Sequence, residues 1–456
     1  MRPDGMDFDF DPSDLSYEDL FEDYSDLFSN PSYTLQDLWS DCLVPTLYDG
    51  FWSCAKLICC SLFLKFTISL KFLPDFAFHV TSSCLGLYCL YSFFEDEIIY
   101  IIIFAVIGYS ILLLANNLLK QYQGIICALF CFIFLIICEL FFADKKMWHR
   151  IRGCQMILAM KIISLGFDSR YTCRDMPAIL PCFGYLFHIG TVIFGPWISY
   201  SSYIGSKEDH KIDLPWFYNI LRCVSLSFGF LTVSTCWTSW VFSTGLIWID
   251  AYRDALSFRS SHYFVSYISE VTATLSGVRS SVVTSAFEIE LPRSLVEVVV
   301  WWNVPMHFWL KTYVFKTAKP LGSFAAILLT YAASSLLHGL NFQLAAVLLS
   351  LGFYTYIEHV FRKKLADIFK ACILARKCKS DCDHIFKSDH MYVRMVNIGF
   401  GLLAMFHLAY LGVMFDSSSS IEEEGYNMSH TLEKWSELDF ASHWVALFSY
   451  IFYYLV

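Results

Sequence analysis

Long apolar runs separated by short polar connections organise this chain. Residues 98–119 (IIYIIIFAVIGYSILLLANNLL) and 124–142 (GIICALFCFIFLIICELFF) carry few charges. Each runs about 20 residues, the length a helix needs to cross roughly 30 Å of hydrocarbon. Further runs lie near 42–64, 76–94, 181–204, 217–249, 263–283, 322–340, 342–360, 394–414 and 442–456. The stretch 217–249 is long enough for one extended helix or two short ones. The pattern predicts an all-α, polytopic membrane protein with about 10–11 transmembrane helices. A β-barrel is excluded, because its strands alternate in short segments and give no long continuous apolar runs.

Composition strengthens this reading: 56% of residues are apolar and 16% charged, against about 25% charged in soluble domains. The net charge of −10 is concentrated at one end. Residues 1–41 hold twelve acidic side chains and only Arg2, so this head accounts for −11 and the rest of the chain sits near +1. Like-charge repulsion and the absence of a periodic pattern predict a disordered acidic tail over 1–41, followed by one transmembrane domain over 42–456. The head lacks the basic, then apolar layout of a cleavable signal, so the first span is expected to act as an uncleaved anchor with the tail in the cytosol. Basic loops set the expected orientation. Segment 361–393 holds eight Lys or Arg between Arg362 and Lys387, and 144–152 (DKKMWHRIR) forms a second cluster. Both are assigned to the cytosol. The acidic segment 415–440, one span later, is assigned to the lumen; it carries Asn427-Met428-Ser429, the only Asn-x-Ser/Thr sequon without an intervening proline.

Most of the seventeen cysteines lie inside apolar runs (Cys59, Cys60, Cys127, Cys131, Cys138) and are read as small hydrophobes. Cys378, Cys382 and His384 are close enough in sequence to share a metal, but no fourth ligand is evident and the spacing fits no strong zinc pattern, so no metal is expected. The chain has no Walker motif, dinucleotide fingerprint or paired-histidine metalloprotease motif. It also lacks an inverted repeat of the transporter kind and a voltage-sensor arginine ladder. Nothing supports nucleic-acid binding.

Ionisable groups inside spans are costly, about 2.5–3.5 kcal/mol at a helix centre on insertion scales, and mark polar interiors. The candidates are Glu139, His188, Glu270, Glu297, His338, Glu358, His359 and His407. Glu139 and Glu270 are expected to pair with neighbouring helices. Glu358 and His359 are expected at the interface where the basic segment opens, and His407 as a hydrogen-bonding structural residue. His338 has a different setting. It follows a helical run from Leu321 and precedes Gly339, a residue suited to ending a helix. Tyr331, Ser334 and His338 share one helical face, a polar stripe in an apolar helix. The stripe alone is equally compatible with bonding to a neighbouring helix. A second constellation favours chemistry. In LPRSLVEVVVWWNVPMHFWL (291–310), Pro305 interrupts the helix and leaves Asn303 at the break. Irregular backbone at membrane depth occurs only where protein buries it or a cavity borders it. From the residues alone, a proton-coupled transporter with an intramembrane His and Glu relay stays open; it predicts solute flux that depends on a pH gradient and not on acyl-CoA.

The segments WWNVPMHFWL and YAASSLLHG resemble the paired Asn and His motifs of the membrane-bound O-acyltransferases. The likeness extends to the members that lipidate Wnt proteins. It runs through MWHRIRGCQMILAMKIISLGFD (147–168), GTVIFGPWISY (190–200), AYRDALSFRSSHYFVSYISEVTATLSG (251–277), AAVLLSLGFYTYIEHVFRKKLA (345–366) and EKWSELDFASHWV (433–445). It covers most of 40–456 and departs at the acidic head and at 278–288. The resemblance implies a multi-pass enzyme of the endoplasmic reticulum membrane that transfers palmitoleoyl from palmitoleoyl-CoA, as a substrate, to a serine of Wnt proteins. His338 would be the general base, since a membrane-embedded imidazole stays neutral as that role requires. Asn303 would position the thioester or polarise its carbonyl. Trp302, Trp309, Tyr331 and Ser334 would line the acyl chamber, with helix packing an equal alternative for Trp309. No further cofactor is implied. CoA would approach near 311–319 and 361–377, and the acceptor from the lumen. An acyltransferase of the same fold acting on a lipid or on another secreted protein is the nearest rival.

Overall fold

The computed structural model describes residues 34–70, 74–141, 145–171, 176–208, 212–242, 245–279, 282–379, 381–415 and 428–456. Most of the acidic tail, and Asn427 of the sequon, lie outside the described residues. Within them the regular structure is helical, with one isolated bridge between Ala371 and Phe386. Among the described residues, six helical stretches are long and apolar enough to cross a membrane: Leu35–Ser69, Asp75–Leu118, Lys120–Phe141, Leu214–Val241, Phe342–Phe369 and Met391–Gly412. Asp75–Leu118 doubles back at Glu95–Glu97, where Glu95 takes φ 48°. Ser323–Leu337 and Ala441–Leu455 are shorter apolar helices.

Two departures from the apolar pattern share one cause. The run 181–204 is not a spanning helix; it forms two short helices, Ile179–Leu186 and Tyr200–Gly205, joined by an irregular buried segment. Backbone groups freed from a helix at this depth need partners inside the protein, and they have them. Lys161 Nζ donates to the carbonyls of Tyr185 and Leu186 at 2.9 and 3.0 Å. Thr272 Oγ1 donates to Gly190 O, and Tyr185 Oη to Ile198 O. His188 stands between Ser82 and Ser276, 2.9 and 3.2 Å from their hydroxyls. Gly190 is obligatory here, because a Cβ would fall 1.9 Å from Ser276 Oγ. Conversely, Lys145–Tyr171 is a long interior helix that carries Gln155, Lys161 and Ser164 inward. A helix enclosed by other helices needs no apolar run to face lipid, so hydropathy does not mark it.

Helix contacts define the two ends of the bundle. Cys42 is disulfide-bonded to Cys236, a pairing not anticipated from their sequence setting. Ser257 Oγ donates to Ser234 O, Ala255 packs on Gly412, and Phe258 stacks on Phe415 at 3.9 Å. Gln343 bonds to Met414 O, and Gly339 abuts Glu139 and Arg152. Residues 42, 236, 255, 339, 414 and 152 therefore share one end. Phe342–Phe369 runs away from that end for 28 residues, roughly 42 Å at 1.5 Å per residue, and delivers 370–390 to the other. The basic clusters 144–152 and 361–393 are thus at opposite ends and cannot both face the cytosol. Residues 34–43 share the end of 413–415, so a cytosolic tail and a lumenal 415–440 segment are mutually exclusive.

Glu358 is buried rather than interfacial. Its carboxylate accepts Leu295 N–H at 2.8 Å and pairs with Arg362 at 3.0 Å. Arg362 is 0% exposed and also donates to the carbonyls of Arg293, Ile373 and Leu374 and to Asn397 Oδ1. Glu270 pairs with Arg222 and accepts Val283 N–H. His407 bonds Ser442 and packs on Tyr354, a structural role.

Candidate active site

The break at Asn303 follows from one missing donor. In a continuous helix, residue 305 would donate to Trp301 O, but Pro305 has no N–H. The freed Trp301 carbonyl accepts from Ser285 N at 3.3 Å and Thr284 Oγ1 at 2.9 Å. Val304 N–H turns to Val283 O at 2.9 Å. Asn303, at φ −152° and ψ 93°, ends Leu295–Trp302 and caps Val304–Trp309, its Oδ1 accepting Met306 N–H at 2.9 Å. With the amide oxygen committed to the cap, Nδ2 is the end of Asn303 with donors to offer a ligand.

Trp302 O is the remaining orphan, and His262 satisfies it. His262 Nε2 lies 2.9 Å from this carbonyl. A carbonyl only accepts, so Nε2 carries the proton and, in the neutral ring, Nδ1 is an acceptor. The His262 ring stacks on the Trp302 indole at 4.3 Å and 10°. His262 thus joins Val283, Thr284 and Ser285 in holding the broken segment.

His338 terminates Ser323–Leu337, its N–H shared between Ser334 O and Ser335 O at 3.3 and 3.0 Å. Gly339 follows at φ 95°, a conformation that suits glycine. The His338 ring lies within electrostatic reach of His262 and Arg152. His262, bonded to the carbonyl just before Asn303, also interacts electrostatically with His338, and so links two motifs 35 residues apart in sequence. Arg152 pairs with Glu139 at 3.7 Å, and Glu139 accepts the Trp148 indole N–H at 3.1 Å. One turn along, Gln155 is 0% exposed and neither of its amide atoms is hydrogen-bonded.

The expected lining residues divide. Trp302 and the buried Ser334 belong to the two linked segments. The Tyr331 ring lies against Gly352 of the next helix, where a Cβ would come within 2.7 Å of it. Trp309 is fully buried, donates its indole N–H to Met160 O at 3.0 Å and packs beside Tyr313, so in this arrangement it is a packing residue. His262, Arg152 and Gln155 escaped the sequence reading. His262 was legible only as a histidine next to an apolar run, and Arg152 as one charge in a basic cluster.

The bundle thus carries an imidazole at a helix end, a capping amide at a helix break and a half-buried Arg152–Glu139 ion pair. Residues 111–371 match the model of the membrane-bound O-acyltransferase family. The chain belongs to that family. Human protein-serine O-palmitoleoyltransferase porcupine is 40% identical over 454 residues, covering 92% of this chain and 98% of the relative. The Anopheles gambiae protein of that name is 37% identical over 358 residues, 71% of this chain and 72% of the relative. Lysophospholipid acyltransferase 2 of Arabidopsis thaliana is 22% identical over 344 residues, 62% and 73% of the two chains.

Proposed function

We infer that this protein is a protein-serine O-palmitoleoyltransferase that acts on Wnt proteins with palmitoleoyl-CoA as donor, in the endoplasmic reticulum membrane. The observation that carries the reading is identity of 40% across 92% of the chain to the human enzyme of that name. Asn303 and His338, acting on one substrate, supply a mechanism. The acceptor hydroxyl gives its proton to His338 as its oxygen attacks the thioester carbonyl. Asn303 Nδ2 donates to the developing oxyanion. Collapse of the tetrahedral intermediate forms the ester and breaks the C–S bond, and the imidazolium returns its proton to the departing CoA sulfur. The thioester is already activated, so no acyl-enzyme is required. A positioned base contributes about 10²–10⁴ in rate. Trp302, Tyr331 and Ser334 border the acyl chamber. His262, through Trp302 O, positions the Asn303 segment.

The disulfide end of the bundle is the lumenal one, since disulfides persist in oxidising compartments. The basic 361–393 segment at the other end then faces the cytosol, as basic loops do. In this reading the acidic tail is lumenal, opposite to the cytosolic placement expected from the sequence. CoA arrives at the end bearing 361–377, and the acceptor serine at the end bearing Gly339.

An acceptor panel tests the assignment. Purified protein is given palmitoleoyl-CoA with either a disulfide-bonded Wnt hairpin peptide or a lysophospholipid, and products are read by mass spectrometry. Acylation of the peptide serine is expected. Transfer to the lysophospholipid alone would replace the substrate assignment and leave the family intact.

A further inference from the structure

At the cytosol-facing end, a segment without helices joins Phe342–Phe369 to Met391–Gly412. A connection of 21 residues (370–390) is unusually long for a compact fold unless something holds it. The segment's own apolar cluster is small: Ala371, Cys372 and Ile373 pack with Ala366 and Val393. Its one bridge, with Cys372 N–H donating to Phe386 O at 2.9 Å, folds 371 back on 386. That fold gathers Cys372, Cys378, Cys382 and His384, whose ligand atoms all lie within 4.8 Å of one another.

We propose that these four residues bind one structural Zn²⁺. His384 Nδ1 is 3.6 Å from both Cys372 Sγ and Cys378 Sγ, and Cys372 Sγ is 3.4 Å from Cys382 Sγ. A tetrahedral zinc, about 2.3 Å from sulfur and about 2.0–2.1 Å from nitrogen, holds S and N about 3.6 Å apart and two sulfurs about 3.8 Å apart. The two S–N distances meet this, and the sulfur pair is a few tenths of an ångström short. Three thiolates and an imidazole at tetrahedral spacing select zinc over the oxygen-seeking cations. Four protein ligands leave no open position, which makes the site structural and not catalytic. Bound Zn²⁺ with three thiolates carries a net charge of −1, and Lys387 Nζ stands 3.5 Å from Cys382 Sγ to offset it. The spacing (Cys-x5-Cys-x3-Cys-x-His) sets Cys372 apart from the other three ligands in sequence.

The site connects to the Asn303 segment. Cys372 O accepts from Arg293 Nη2 at 2.8 Å, and Ala375 O accepts from Ser294 Oγ at 2.9 Å. Ser294 is the N-cap of Leu295–Trp302, the helix that ends at Asn303. The metal therefore fixes the carbonyls on which the start of that helix rests.

Full-length protein purified in detergent without added metal is analysed by inductively coupled plasma mass spectrometry. About one zinc per chain is expected, with at least a tenfold loss in Cys378→Ser and in His384→Ala and no change in Cys59→Ser. Should either ligand variant fail to fold, wild type decides alone: a mercurial that blocks thiols should release the zinc to a chromogenic chelator in one-to-one ratio. Wild type without zinc, zinc the mercurial does not release, or a Cys372–Cys382 disulfide found after alkylation under native conditions would each overturn the proposal.

Discussion

Gly339→Ala isolates what the residue after His338 contributes. Two effects act at this position. Backbone strain from a side chain at φ 95° costs about 1–2 kcal/mol, by analogy with the left-handed helix. The second effect is steric: the new Cβ would stand 2.3 Å from Glu139 Oε2 and 2.8 Å from Arg152 Nη1, roughly 1 Å short of ordinary contact. Either the ion pair or the end of the His338 helix must shift by that amount. Misplacement of a reacting group by about 1 Å costs about 10² in rate. Gly322 provides the comparison: it takes φ 101°, and a Cβ there would meet nothing within 4 Å, so Gly322→Ala carries the strain without the collision. Gly339→Ala should melt no higher than Gly322→Ala, while kcat for peptide acylation of the folded proteins falls about 10²-fold in Gly339→Ala and stays within about threefold of wild type in Gly322→Ala. Equal kcat in the two would refute the reasoning that the collision at Gly339 displaces the end of the His338 helix.

Three more outcomes follow from the same contacts. Asn303→Asp keeps the cap but removes the amide donor, so it should fold like wild type and lose acyl transfer; Asn303→Ala should lose activity and about 1 kcal/mol of stability as well. Wild-type activity in Asn303→Asp would restrict Asn303 to capping. Arg362→Leu strands the Glu358 carboxylate in the interior and should destabilise by about 3–5 kcal/mol, whereas Glu358→Gln combined with Arg362→Met should cost less, as measured by denaturant unfolding. An epitope tag at Met1 should be protected from protease in sealed microsomes and one after Val456 digested; the reverse pattern would invert the orientation drawn from Cys42–Cys236.

The lipid-facing helices were legible in the sequence because contact with hydrocarbon demands unbroken apolar runs. The same rule made 181–204 misleading. Its apolar residues are buried by protein, and Lys161 and Thr272 satisfy its irregular backbone from distant helices. Lys145–Tyr171 was obscured for the complementary reason. The Asn303 break could be read locally from Pro305, and the helix end at His338 from Gly339. His262 could not, since its partner is a carbonyl 40 residues on that only the fold presents. Charge misled most. Arg152 reads as a cytosolic marker, yet its guanidinium faces Glu139 at 3.7 Å within the bundle, and Arg362 serves as an internal clamp.

The central claim is that the imidazole of His338 takes the acceptor proton. Wild type and His338→Ala, matched by thermal melting, are each mixed with palmitoleoyl-CoA and the Wnt hairpin peptide under single-turnover conditions, and the acylated serine is quantified by mass spectrometry. The account predicts that the folded His338→Ala protein still binds palmitoleoyl-CoA and acylates at least about 10²-fold more slowly. A folded His338→Ala protein that acylates the serine at the wild-type rate would contradict it.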